Sequence, residues 1–152
     1  MTQYRKHVFI CTNGPYCPFD GDTEALLKRL KKRVAEAGLS SEVRINRSGC
    51  LNQCGHGPNV VVYPEAVWYC GVQAEDADAL FEQHIVRDQP LEELRSGLPP
   101  GDNKHTDHYP PEVKQFKKTD KRLDAERLAE IARVKAQSDE GRAAGVDQAS
   151  SS

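Results

Sequence analysis

The sequence predicts an α/β sandwich with element order β-α-β-β-β-α, a mixed sheet and a charged C-terminal tail. Three features carry this prediction. A short apolar run ending in "FIC" is followed by a helical repeat and then by an alternating segment, which is the pattern of a parallel βαβ unit. The stretch "VVVYPEAVWYCGV" splits around Pro64 and Glu65 into two β-rich halves. A second helical repeat, "EDADALFEQHIV", closes the series before Pro90.

Taken in order, Lys6 to Ile10 reads as the first strand, with Val8, Phe9 and Ile10 apolar and β-favouring. A loop carries Cys11 through Gly21. Asp22 is placed to cap a helix running to about Ala37, with Leu26, Leu27, Leu30, Val34 and Ala37 at helical spacing and Gly38 at the stop. "SEVRIN" alternates and reads as the second strand, parallel to the first because a helix intervenes. The halves of "VVVYPEAVWYCGV" form an antiparallel hairpin. In the last helix Ala77, Phe81 and Ile85 fall four apart, and the helix should end near Gln89. This is a thioredoxin-like arrangement. It leaves a loop after the C-terminal end of each parallel strand, where open α/β sheets place their sites.

The chain of 152 residues suits one domain, and 38% hydrophobic with 29% charged residues is ordinary for a soluble protein. The net charge of −2 weighs against a nucleic-acid partner, which demands a basic face. No apolar stretch approaches the roughly 20 residues of a membrane span. "MTQYRKHVFIC" lacks a secretory apolar region, so the expected location is the cytoplasm. Composition changes near Gly101. Residues 1–101 hold all five cysteines and most apolar runs. Residues 102–152 are polar, their charges balance, and a thin stripe of Leu123, Leu128, Ile131 and Val134 allows one marginal helix near 121–136. Such a segment is expected to be a largely mobile tail.

The chemistry lies in the cysteines. Cys11 and Cys17 follow the first strand, Cys50 and Cys54 follow the second, and Cys70 stands apart. In the cytoplasm clustered cysteines point to metal binding or catalysis rather than to stable disulfides. The Cys-x₅-Cys spacing is too long for the Cys-x-x-Cys of a thioredoxin redox couple. Four thiolates in two pairs suit tetrahedral zinc or a binuclear iron–sulfur cluster, and spacing leaves both open. There is no Gly-rich phosphate loop and no Ser/His/Asp arrangement, so no enzyme is expected.

"KHVFIC", "SGCLNQCGHGPNVVVYPEAVWY", "EDADALFEQHI" and "PLEEL" resemble the thioredoxin-like [2Fe–2S] ferredoxins. That family is similar to the cluster domain of the small flavoprotein-associated subunit of respiratory complex I. The resemblance covers about residues 5 to 98, and "GPNVVVYPEAVWY" is its most specific part. It implies a [2Fe–2S] cluster on Cys11, Cys17, Cys50 and Cys54, and one-electron transfer at low potential between redox partner proteins. It also implies a homodimer. The chain departs from the family in a shorter first ligand loop, closer to that of the complex I domain, and in Cys70, where the family has another residue. Two other readings stand beside it: a cluster-based redox sensor or assembly adaptor, and a structural zinc-binding interaction module.

The remaining candidates have plainer readings. Cys70, next to the hairpin's Trp68, reads as a small buried hydrophobe. His56 reads as a solvated loop histidine, and the His105/His108 pair as a chance spacing. Gly49, Gly55 and Gly57 are expected to let backbone N–H groups approach the sulfurs.

Overall fold

A computed structural model describes residues 2–115 and 125–150 of the chain. Strand β1 (Lys6–Cys11) leads through a short helix α1 (Tyr16–Asp20) into the long helix α2 (Thr23–Glu36). Strands β2 (Val43–Ser48), β3 (Val60–Tyr63) and β4 (Val67–Tyr69) follow. A helical segment then begins as α3 (Ala77–Ala79) and widens to π-helical geometry over Leu80–Val86. The four strands form one sheet in the order β2-β1-β3-β4. β1 and β2 are parallel, while β3 is antiparallel to both β1 and β4. The expected mixed sheet is therefore present.

Register explains which side chains are buried. Val8 lies opposite Ile45 and Val62, Ile10 opposite Val60, and Val60 opposite Tyr69. All sit on the one sheet face that packs against α2 and the α3 segment. Asp22 starts α2 as expected, accepting the Ala25 N–H at 3.0 Å, which satisfies one free donor of the first turn. Leu26, Leu27 and Leu30 then bury their side chains completely, worth about 2 kcal/mol each. The opposite sheet face carries stacked His7 and Phe9 rings, with Tyr63 edge-on to Phe9.

Two stretches differ from the sequence reading. The loop expected between Cys11 and Gly21 contains α1, whose Tyr16, Cys17 and Phe19 are buried. The chain beyond Gly101 forms two further helices, α4 (Pro111–Lys114) and α5 (Ala125–Ser150). The first residues of the expected helix near 121–136 lie outside the described residues. A largely mobile tail is expected there, yet Ile131 of the thin stripe is 1% exposed and packs with Tyr109 and Val113 against Tyr16 and Phe19. The reason is the receiving surface: α1 offers an aromatic patch that periodicity along the tail cannot reveal.

Candidate metal centre

The site is built where the parallel strands end. Cys11 is the last residue of β1, and Cys50 lies two residues beyond β2. Cys17 sits in α1, and Cys54 lies in the loop that returns to β3. Three of the thiols are buried and Cys50 is exposed. The Sγ atoms of Cys50 and Cys54 are 3.5 Å apart. Two sulfurs bound to one tetrahedral ion at metal–sulfur distances near 2.3 Å lie about 3.8 Å apart, so this pair is spaced for a shared metal. Cys11 and Cys17 are within hydrogen-bond reach of each other, and Cys54 is close enough to feel charge on Cys11. The structure thus brings together all four cysteines singled out in the sequence. Cys70 takes no part in these interactions; it is half-buried, and its N–H bonds Leu94 O.

The four sulfurs cannot all carry charge unaided. Cys17 donates to Cys11 and lowers its thiol to about 7, against burial and with help from the Asn13 and Leu51 backbone. The same bond, with burial and the Cys11 charge, pushes Cys17 well above the ordinary thiol range. Burial and the Cys50 partner push Cys54 up to about 12, and Lys104 partly offsets this. A bound cation removes this conflict, because a coordinating thiol gives up its proton outright.

Neighbouring groups fit a sulfur-bound centre. A Cβ on Gly57 would lie 2.8 Å from Cys17 Sγ, so the backbone approaches that sulfur only because the residue is glycine. Asn59 Nδ2 points at Cys17 Sγ at 3.6 Å, and the Asn52 N–H donates to Cys50 Sγ at 3.4 Å. Of the three glycines expected to bring N–H groups to sulfur, Gly49 has open space around it. Gly55 gives its N–H to the Tyr109 hydroxyl instead. His56 points away from the sulfurs, its Nε2 3.0 Å from Asn103 O, and His105 and His108 stack on one another.

Asn59, Asp20 and Tyr109 were not recognised from the sequence. Asn59 has one visible signal, a polar residue abutting the valine run. Asp20 and Tyr109 have none, because they meet across 89 positions of chain. Burial raises the Asp20 carboxyl, and the Tyr109 hydroxyl partly compensates.

No protein-family model matches the sequence. The chain is 34% identical to a 2Fe-2S ferredoxin of Clostridium pasteurianum over 102 residues, which are 62% of this chain and 99% of that protein. It is 36% identical to a 2Fe-2S ferredoxin of Aquifex aeolicus over 105 residues, 63% of this chain and 95% of the other. Among solved structures, a thioredoxin-like [2Fe–2S] ferredoxin from Aquifex aeolicus superposes with a TM-score of 0.58 at 34% identity. That match covers 66% of this chain and 98% of that one. Together with the sheet order and the four clustered cysteines, these likenesses place the chain among the thioredoxin-like [2Fe–2S] ferredoxins.

Proposed function

We propose that Cys11 and Cys17 hold one iron, and Cys50 and Cys54 the other, of a [2Fe–2S] cluster in a one-electron carrier working at low potential. The observation that carries the assignment is the 3.5 Å sulfur pair at Cys50 and Cys54, facing the buried Cys11/Cys17 pair. When bound, the cluster takes up one electron and gives it back. The chain's own groups do the rest. Four thiolates make the oxidised centre net negative, which disfavours a further electron and keeps the potential low. The Asn59 amide at Cys17 and the Asn52 N–H at Cys50 act against that by stabilising negative charge on sulfur.

Cys50 is the exposed ligand, so a redox partner protein meets the site there, while the three buried cysteines keep solvent away. As a ferredoxin the protein is a carrier and not an enzyme. Among the described residues no helix is long and apolar enough to cross a membrane, and we assign the carrier to the cytoplasm. A homodimer is part of the proposal. The sheet face bearing His7, Phe9 and the 38% exposed Tyr63 is the surface a second copy would cover.

The test is analysis of protein from its native host. About two irons and two acid-labile sulfides per chain are expected, with a spin-half EPR signal after dithionite and a potential near the roughly −400 mV of Cys₄ centres. Stoichiometric zinc without labile sulfide would overturn the assignment in favour of a structural zinc module.

A further inference from the structure

We propose that residues 101–115, backed by Ile131 of α5, clamp the ligand loops. Tyr109 is the positioning residue that fixes the Cys54 loop against the helix carrying Cys17. The inference rests on reading Cys17 and Cys54 as cluster ligands.

The contacts between this segment and residues 52–56 are dense. Cys54 O accepts the His105 N–H at 2.8 Å, and Asn52 O accepts the Asn103 N–H at 3.2 Å. Gln53 Nε2 donates to Gly101 O at 2.8 Å, and Gln53 Oε1 accepts from Asn103 Nδ2 at 3.1 Å. With Gly55 N–H on the Tyr109 hydroxyl and His56 Nε2 at Asn103 O, every residue from Asn52 to His56 has a partner in the segment. The approach is so close that a Cβ on Gly55 would fall 2.1 Å from His105 O, and Gly55 adopts φ +101.

Tyr109 adds a link of another kind. Its hydroxyl accepts the Gly55 N–H at 2.9 Å and donates to Asp20 Oδ2 at 2.5 Å. Gly55 directly follows Cys54, and Asp20 ends the helix that carries Cys17. One hydroxyl thus spans the two halves of the site. The ring is 2% exposed and held between Tyr16, at 4.6 Å between centroids, and Phe19, at 5.6 Å. Groups behind metal ligands fix ligand position and so metal retention. The Clostridium relative is used up after 102 aligned residues, and the resembling motifs of this chain stop at about residue 98. The clamp segment therefore lies beyond the stretch that carries the resemblance.

The experiment uses the full-length holoprotein and measures iron release to a chelator, EPR of the reduced state and thermal unfolding. Tyr109→Phe keeps the ring and removes the bridge. It should release iron about tenfold faster and shift the g-values. Asp20→Asn keeps an acceptor for the hydroxyl and should show a smaller change in the same direction. Val113→Ala loosens the same apolar patch without touching the bridge; it should lower the unfolding temperature and leave the g-values alone. Wild-type release and g-values in both Tyr109→Phe and Asp20→Asn would overturn the clamp, as would a g-shift in Val113→Ala matching that of Tyr109→Phe. Wild-type protein that holds no iron would overturn the ligand assignment, and the clamp with it.

Discussion

Strand β1 begins at Lys6 and ends at Cys11, and a partly buried cluster of ionisable groups sits at each end. At the Lys6 end the carboxylates already have a cation. The ammonium, only 4% exposed, pairs with Glu65 at 2.7 Å and also with Asp88. Glu65 reaches on to His84 Nε2 at 2.6 Å, and His84 Nδ1 meets the Tyr69 hydroxyl at 2.6 Å. Glu65, His84 and Asp88 present donor atoms within 4.8 Å of one another, as a metal site would. Lys6 already supplies the cation between the two carboxylates. At the Cys11 end, among the described residues, Lys104 eases the charge only in part: three buried thiols and an exposed one compete for protons, and a bound cation would end the conflict. A cluster of ligand types becomes a candidate metal centre when its own charges are left unbalanced.

The largest expected effect breaks the Cys11 end. Replacing Cys11, Cys17, Cys50 or Cys54 by Ser should each abolish or alter the visible and EPR spectra, whereas Cys70→Ser should leave both unchanged. Bleaching by Cys70→Ser with an unaltered Cys17→Ser protein would show that the ligand set is drawn wrongly.

Much of this end was legible in the sequence because strands and cysteines are local signals. The valines of β3, the capping Asp22 and the two cysteine pairs each announce themselves within a few residues. α1 did not, since Pro15 and Pro18 punctuate a helix of only five residues, and its burial comes from later chain. The docking of Ile131 was hidden for the same reason. Its stripe is thin on a helical wheel, and sufficient only because Tyr16 and Phe19 receive it. The Lys6 end was equally illegible: a lysine opening a strand looks solvated until register turns it inward beside Val8 and Ile10.

The next effect is intermediate and belongs to the Lys6 end. Lys6→Met removes the cation but keeps an apolar stem, leaving Glu65 with His84 as its partner. Breaking a fully buried pair costs about 3–5 kcal/mol, and Glu65 keeps contact with water, so roughly 2–3 kcal/mol is expected here. Chemical denaturation should show this loss while the EPR of the reduced protein stays as in wild type. A changed g-tensor would mean that the two ends of β1 are coupled, and that the contrast between them is false.

The smallest effect is a pH dependence that should vanish with the same substitution. Burial works to raise the Glu65 carboxyl, but the Lys6 ammonium and His84 outweigh it and hold it below its usual range. Lys6 likewise depresses Asp88. A carboxylate depressed in the folded state contributes stability above its unfolded value, near pH 4, and that contribution is lost as pH falls through the folded value. Asp20 at the other end is raised by burial, so its protonation on acidification favours the fold and works in the opposite sense. Far-UV circular dichroism between about pH 5 and 2.5 separates these contributions when wild type is set beside Lys6→Met. Acid loss of the cluster affects both proteins alike, so the difference between their acid limbs reports the Lys6 pairs alone. The wild-type limb should be the steeper. Two limbs that superimpose after a constant offset would mean that Glu65 and Asp88 do not titrate against Lys6, and that the balance at this end of the strand comes from His84 and Tyr69 instead.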